Sequence, residues 1–230
     1  MVCMEGLTRR DVIRSVIFDF DFTLADSSNG IFDCVSTALV AVGAVPVGRD
    51  AVNATIGLSL RETYTKLTGN TDENRQAQFV EQFHRRADDI MVKSAVVFAF
   101  VPEAIRQIRA QGLSTAVAST KRRVHIESIL ERESLTGAFD AVVGGNDVQN
   151  QKPHPESLFA GMRRLGAAPW ECVYVGDSIV DAEAAKRAGI QFVAVLSGVT
   201  PRAEFDSYPV SEIFNHVGEI PAWLEVARNK

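Results

Sequence analysis

The sequence has no apolar run longer than Ala95 to Val101, far short of the roughly 20 residues that span a bilayer. Its N-terminus carries Glu5, Arg9, Arg10 and Asp11, where an export signal needs an apolar segment. Neither export nor a membrane anchor is expected. Cysteine is scarce: Cys3, Cys34 and Cys172 are an odd number, far apart and without a C-x-x-C spacing. That excludes a disulfide framework and a zinc site and fits a reducing cytoplasm. Lysine and arginine form no long run, and 24 bases against 29 acids leave a formal charge of -5, so nucleic acid and anionic lipid are not expected partners. The chain is neither glycine- and proline-rich nor repetitive, which removes disordered, collagen-like and solenoid architectures.

What is present is a globular composition, 46% apolar over 230 residues. That length lies between one average domain and two, so one core plus an insertion is expected. Ser15 to Phe20 reads SVIFDF, a β-branched and aromatic run of the kind that forms a strand buried on both faces. The pattern then turns helical. Asp26 or Ser27 can cap a helix carrying Ile31, Cys34, Val35, Ala38, Leu39 and Val42; Leu58 to Leu67 reads as a second helix and Glu73 to Met91 as a third. Roughly 70 helical residues are too many for one crossover between parallel strands.

Beyond Pro102 helix and strand alternate, the pattern of a parallel α/β sheet. Predicted strands are LSTAVAS ending at Ser119, FDAVVGG, CVYVGD ending at Asp177, and QFVAVL, with a weaker unit near Val210 to Ala227. The predicted helices between them are Glu103 to Gln111, Arg123 to Glu133, Glu156 to Leu165 and Asp181 to Ala188. The fold class is therefore α/β, a Rossmann-like parallel sheet interrupted once by a helical block.

Ligands of such sheets bind outside the carboxyl ends of the strands, and the reactive side chains collect there. Asp19 and Asp21 follow the first strand, and a spacing of two turns both carboxylates the same way. Paired acids at one place are costly without a cation. Asp177 and Asp181 follow a later strand and supply the oxygen ligands a hard cation such as Mg²⁺ takes, although Asp181 also suits the first turn of a helix. Ser119 ends another strand, and Lys152 lies in the stiff loop QKPHP. A cation, a lysine and a hydroxyl together suit a phosphoryl group, whose charge must be neutralised during transfer.

Four elements in this order, DFDFT, the hydroxyl of AST, KPHP and GDSIVD, resemble the haloacid dehalogenase superfamily, specifically its phosphoglycolate-phosphatase-like branch with a helical cap. The resemblance covers nearly the whole chain. It implies an HAD-like core over 1–26 and 98–230, a helical cap over 27–97, and Mg²⁺-dependent hydrolysis of a small phosphate ester through a phospho-aspartate. It makes Asp19 the nucleophile, Asp21 the general acid and base, and Thr23 the residue holding the Asp21 loop. Ser119 and Thr120 bind phosphate, Lys152 neutralises it, and Asp19, Asp21, Asp177 and Asp181 form the metal site, Asp181 through water or an indirect bond. Phe22 departs from the family's usual glycine, Thr120 from a frequent asparagine, and VVFAFVPE from a frequent Tyr-Pro-Gly.

The loop at Gly57 followed by LSLRETY resembles a cap loop that dips into the site, which makes Arg61 and Tyr64 candidates for the leaving group. His84, Arg85 and Arg86 form a basic cluster nearby, whereas His125, His154 and His216 have no partner spacing and receive no role. A phosphosugar mutase of the β-phosphoglucomutase type, a pyrophosphatase and a non-catalytic phosphoacceptor module are the alternatives. Gly176 before Asp177 and Ser178, where the mutases commonly have glutamate, favours hydrolysis. The large helical insertion and an acid pair on the first strand argue against a phosphoacceptor.

Overall fold

The computed structural model describes residues 13–228; Cys3 and the charged leader with Glu5, Arg9, Arg10 and Asp11 lie outside them. Among the described residues, no helix is long and apolar enough to cross a membrane, and Cys34 and Cys172 are free and buried.

Strand β1 (Ser15–Phe18) is followed by β2 (Ala25–Asp26), then by helices α1 (Ser28–Ala41), α2 (Arg49–Asn53), α3 (Leu60–Thr68) and α4 (Glu73–Ser94). Strand β3 (Val96–Val97) leads back to α5 (Val101–Ala110), β4 (Ser114–Ala118), α6 (Arg123–Arg132) and β5 (Ala141–Val143). The chain ends with α7 (Glu156–Leu165), β6 (Cys172–Gly176), α8 (Ile179–Ala188), β7 (Gln191–Val195), β8 (Val210–Phe214) and α9 (Ile220–Ala227).

Six strands form one parallel sheet in the order β5-β4-β1-β6-β7-β8. Side chains alternate across it. Val16 and Phe18 of β1 join the apolar layer under α5, α6 and α9, while Ile17 joins the layer under α7 and α8. Both faces are covered, which is why the strands read as continuous apolar runs rather than alternating ones. In the register, Phe18 sits opposite Val117 on one side and Val175 on the other. The carboxyl ends of β1, β4 and β6 are therefore level, and the residues that follow them meet at one edge. The chain builds outward on one side of β1 and then crosses back to β6 on the other, so β1 lies at the switch point.

The helical insertion encloses its own apolar cluster, including Val35, Leu39, Phe79, Phe83 and Met91. The periodicity predicts an all-helical block, and the structure departs from it. Ala25 pairs antiparallel with Val97, and Asp26 with Val96, so a two-stranded ribbon carries the chain out and back. Two residues per strand give too short an alternation to read from sequence. The short helix α2 also escapes the periodicity. Helix α3 starts two residues later than predicted, because Ser59 forms a capping box with Glu62. Helix α4 runs on to Ser94.

Candidate active site

Asp19 leaves β1 with its backbone N–H donating to Val175 O at 2.9 Å, which locks the residue between two strand ends. Asp19, Asp177 and Asp181 come together there: all are buried, and one carboxylate oxygen of each lies within 4.8 Å of the others. The Nζ of Lys152 stands 2.6 Å from Asp181 Oδ1 and 2.9 Å from Asp19 Oδ1. The contact to Asp19 is an ion pair without hydrogen-bond direction, since Asp19 Oδ1 accepts no hydrogen bond. Lys152 also donates to the Tyr174 hydroxyl at 2.9 Å, and that hydroxyl lies 2.8 Å from Asp181 Oδ1.

One lysine does not balance three buried carboxylates. Burial pushes the Asp19 carboxyl up to about 6 against the opposing pull of Lys152. Asp177 is raised well above the ordinary range by burial and then by its neighbours Asp181 and Asp19. Burial opposes the charge on Lys152, but the facing Asp181 and Asp19 carboxylates outweigh it and raise its pKa. A closed, oxygen-only donor set short of positive charge fits a hard divalent cation. The backbone leaves room for the ligand arrangement: a Cβ at Gly198 would stand 2.0 Å from Asp177 Oδ2.

Asp181 serves two roles. Its backbone N–H and Oδ2 close a capping box with Ser178 at the start of α8, while Oδ1 faces Lys152. The cap and the site are thus compatible readings of GDSIVD, because a carboxylate has two oxygens.

Other expected residues land differently. The Asp21 carboxylate stands outside the acidic trio and pairs with Lys121 Nζ at 2.8 Å. The Thr23 hydroxyl donates to Asp177 Oδ1 at 3.0 Å, which ties the loop that follows Asp21 to the end of β6. Within the loop, Phe22 N–H donates to Ala25 O at 2.7 Å. Phe22 has φ of +62°, the left-handed region that favours glycine; its ring is buried in compensation. Ser119 is buried at the end of β4 and accepts from Lys121 N–H at 3.3 Å. It does not cap α6, whose N-cap is Arg122.

A cavity of about 740 Å³ lies between this edge and the helical insertion. Asp21, Thr120, Lys121 and Lys152 line its floor, and Ile56, Leu58, Arg61, Val80 and His84 are among its opposite wall. Arg61 therefore faces the cavity, held by Gln76 at 3.2 Å. Tyr64 does not: it is 2% exposed, packed against Phe79 with ring centres 5.3 Å apart. The two residues share one side of α3, but the Tyr64 ring turns inward onto Phe79 while the Arg61 side chain extends to Gln76. Of the basic cluster, only His84 lines the cavity; Arg86 pairs with Asp33 at 2.6 Å and Arg85 reaches toward Glu81.

Contacts from two places in the insertion meet the core. A Cβ at Gly57 would meet Ser178 Oγ at 3.4 Å, and Asp88 of α4 pairs with Arg122 at 2.7 Å and lies 2.9 Å from His125 Nε2. His125, given no role by its spacing, is buried beside the cavity. Lys121 and Tyr174 were likewise missed. A tyrosine inside an apolar strand and a lysine directly after AST are the signals, visible only once the sheet aligns them.

The model of the haloacid dehalogenase-like hydrolase family matches residues 16–195. The phosphoglycolate phosphatase of Salmonella typhimurium is 32% identical over 207 residues, 81% of this chain and 82% of that one. The phosphoglycolate phosphatase of Escherichia coli K12 is 29% identical, covering 90% and 91%. A haloacid dehalogenase-like hydrolase from Bacteroides fragilis superposes with a TM-score of 0.88 at 37% identity, covering 90% of this chain and 99% of that one. The chain belongs to the haloacid dehalogenase-like hydrolases. Within them it is an enzyme of the phosphatase kind.

Proposed function

We propose that the chain is a Mg²⁺-dependent phosphatase that hydrolyses a small phosphate monoester through a phospho-aspartate at Asp19. The observation that carries this reading is the buried group of Asp19, Asp177 and Asp181 around Lys152, at the level ends of β1 and β6. A Mg²⁺ ion held by these three carboxylates would screen Asp19 from the anionic phosphate and stabilise charge on the transferring group.

Asp19 attacks phosphorus while the bond to the leaving oxygen breaks, and Asp21 gives that oxygen its proton. Asp21 then takes a proton from water as the water attacks the phospho-aspartate, releasing phosphate and restoring Asp19. Ser119 and the backbone at Thr120 bind the phosphate oxygens, and Lys152 carries positive charge beside them. Residues 27–97 act as a cap on a core of 1–26 and 98–230, excluding water and contacting the leaving group, with Arg61 among those contacts.

The substrate belongs to the small phosphorylated metabolites. The relatives' names make a phosphoglycolate-like ester the first to test. A cavity of about 740 Å³ also has room for a sugar phosphate: the roughly sixteen non-hydrogen atoms of a hexose phosphate take about 480 Å³ even at ~30 Å³ each, the share of a water molecule. The free, buried Cys34 and Cys172 support a cytoplasmic setting. Mg²⁺-dependent phosphate release from 4-nitrophenyl phosphate, with Asp19→Asn as control, tests the reading. Release that survives in the variant, or is missing from both proteins, overturns it.

A further inference from the structure

We propose that Lys121 is a positioning residue for the reaction, holding the Asp21 carboxylate in the orientation from which it reaches the leaving oxygen. The inference rests on the reading of Asp21 as the proton donor and acceptor.

Two lysines divide the acids of the site. Lys152 is engaged by Asp181 and Asp19. Asp21 faces the cavity outside that group, and its ion pair is with Lys121, at 2.8 Å. Both side chains are nearly closed to solvent, 4% exposed for the lysine and 10% for the aspartate. The ammonium has two further neighbours, and the backbone of the residue is held as well. Its Nζ lies 3.4 Å from Ser27 Oγ and 5.8 Å from the centre of the Phe20 ring, and the Lys121 backbone N–H donates to Ser119 Oγ. A lysine stem samples many rotamers in water; burial and these contacts restrict it here.

The carboxylate needs such a partner. It lines an open cavity, and the ion pair with Lys121 fixes which way its oxygens point. A general acid must stand within hydrogen-bond reach of the leaving oxygen, and small displacements of catalytic groups are costly. Stability gives no comparable reason to keep the pair, since a buried ion pair is often matched by apolar residues of similar volume. Ser27 and Asp21 flank the β2 crossing into the insertion. Lys121 therefore ties the proton-transfer residue to the phosphate-binding hydroxyl and to the root of the cap.

The test uses leaving groups of different basicity, because an acid matters most where the departing oxygen is most basic. For Lys121→Met, kcat/KM with ethyl phosphate is expected to fall about 10²-fold, the low end for general acid–base catalysis, and with 4-nitrophenyl phosphate less than roughly fivefold. Lys121→Arg is expected to restore part of the ethyl phosphate rate. In an Asp21→Asn background, Lys121→Met is expected to cost nothing more, since the partner is already gone. Should Lys121→Met not fold, Lys121→Gln carries the same comparison. Equal losses on the two esters, or a further loss added to Asp21→Asn, would falsify the positioning role. A wild-type protein inactive on both esters overturns the catalytic reading instead.

Discussion

The Thr23 hydroxyl donates to Asp177 Oδ1 across 154 residues of sequence at 3.0 Å, with both groups buried. This bond joins the loop after β1 to the end of β6 and aims one oxygen of a carboxylate that burial would otherwise leave poorly satisfied.

Groups that orient metal ligands typically govern 10–100-fold in metal affinity. Thr23→Val is therefore expected to raise the Mg²⁺ concentration for half-maximal activity roughly 10–100-fold, and Thr23→Ser to keep it near wild type. Gly198→Ala acts on the same carboxylate by collision, because its Cβ would fall 2.0 Å from Asp177 Oδ2. A Mg²⁺ titration of phosphate release checks both. Equal Mg²⁺ dependence in wild type and Thr23→Val would show that the bond orients nothing.

Tyr64 and Arg61 lie three residues apart on α3 and should separate cleanly. Tyr64 packs on Phe79 inside the insertion, so Tyr64→Ala is expected to lose about 3–5 kcal/mol of stability. Its kcat/KM should stay within about twofold at temperatures where the variant is folded, since the side chain does not line the cavity. Arg61→Ala is expected to do the reverse, raising KM with little change in the midpoint of urea unfolding.

Phe22 carries two opposed terms. Its left-handed backbone costs about 1–2 kcal/mol in a residue with a Cβ, whereas deleting a buried phenyl ring costs about 3–5 kcal/mol. Phe22→Gly is therefore expected to destabilise the protein despite relieving the backbone. An increase in the unfolding midpoint would mean that the ring's packing is worth less than the strain.

Burial holds the pKa of His125 below the ordinary histidine value, outweighing the bond to Asp88, with Lys121 and Arg122 lowering it further. Burial and Arg122 do the same to the neighbouring His84. Both groups fold as neutral rings, so their contribution to stability is complete above ~6.5, the unfolded value. It is lost as pH falls through the lower folded value. The histidines are expected to lower the melting temperature between pH 7.5 and 5.5, against the opposite pull of the raised Asp19 and Asp177 carboxyls, so a His84→Gln, His125→Gln double variant should end with the higher melting temperature relative to its value at pH 7.5. Parallel profiles for the two proteins would remove the histidines as the cause.

The strands, the interrupting helical block and the four motifs were legible because each depends on nearby residues. Apolar runs announce strands covered on both faces, and Asp19, Ser119 and Asp177 each end one, which is where open sheets bind ligands. Shorter signals were not legible. The β2–β3 ribbon has two residues per strand, and the Ser59 capping box shifts a helix start by less than a turn.

Partnership was the other gap. Asp19 and Asp21 point the same way in an extended chain and so read as one pair, yet the turn at Phe22 sends Asp21 to Lys121. Thr23 reads as a loop anchor, but the group it bonds to, Asp177, lies 154 positions away.

Sequence alone determined which residue types stand at the strand ends, and in what order, because periodicity and motif spacing are local properties of the chain. Tertiary structure alone decided which charge faces which. That follows from the level register of β1, β4 and β6, which brings together side chains 100 residues or more apart, and from the seating of the helical insertion, which sets Asp88 against Arg122 and His125.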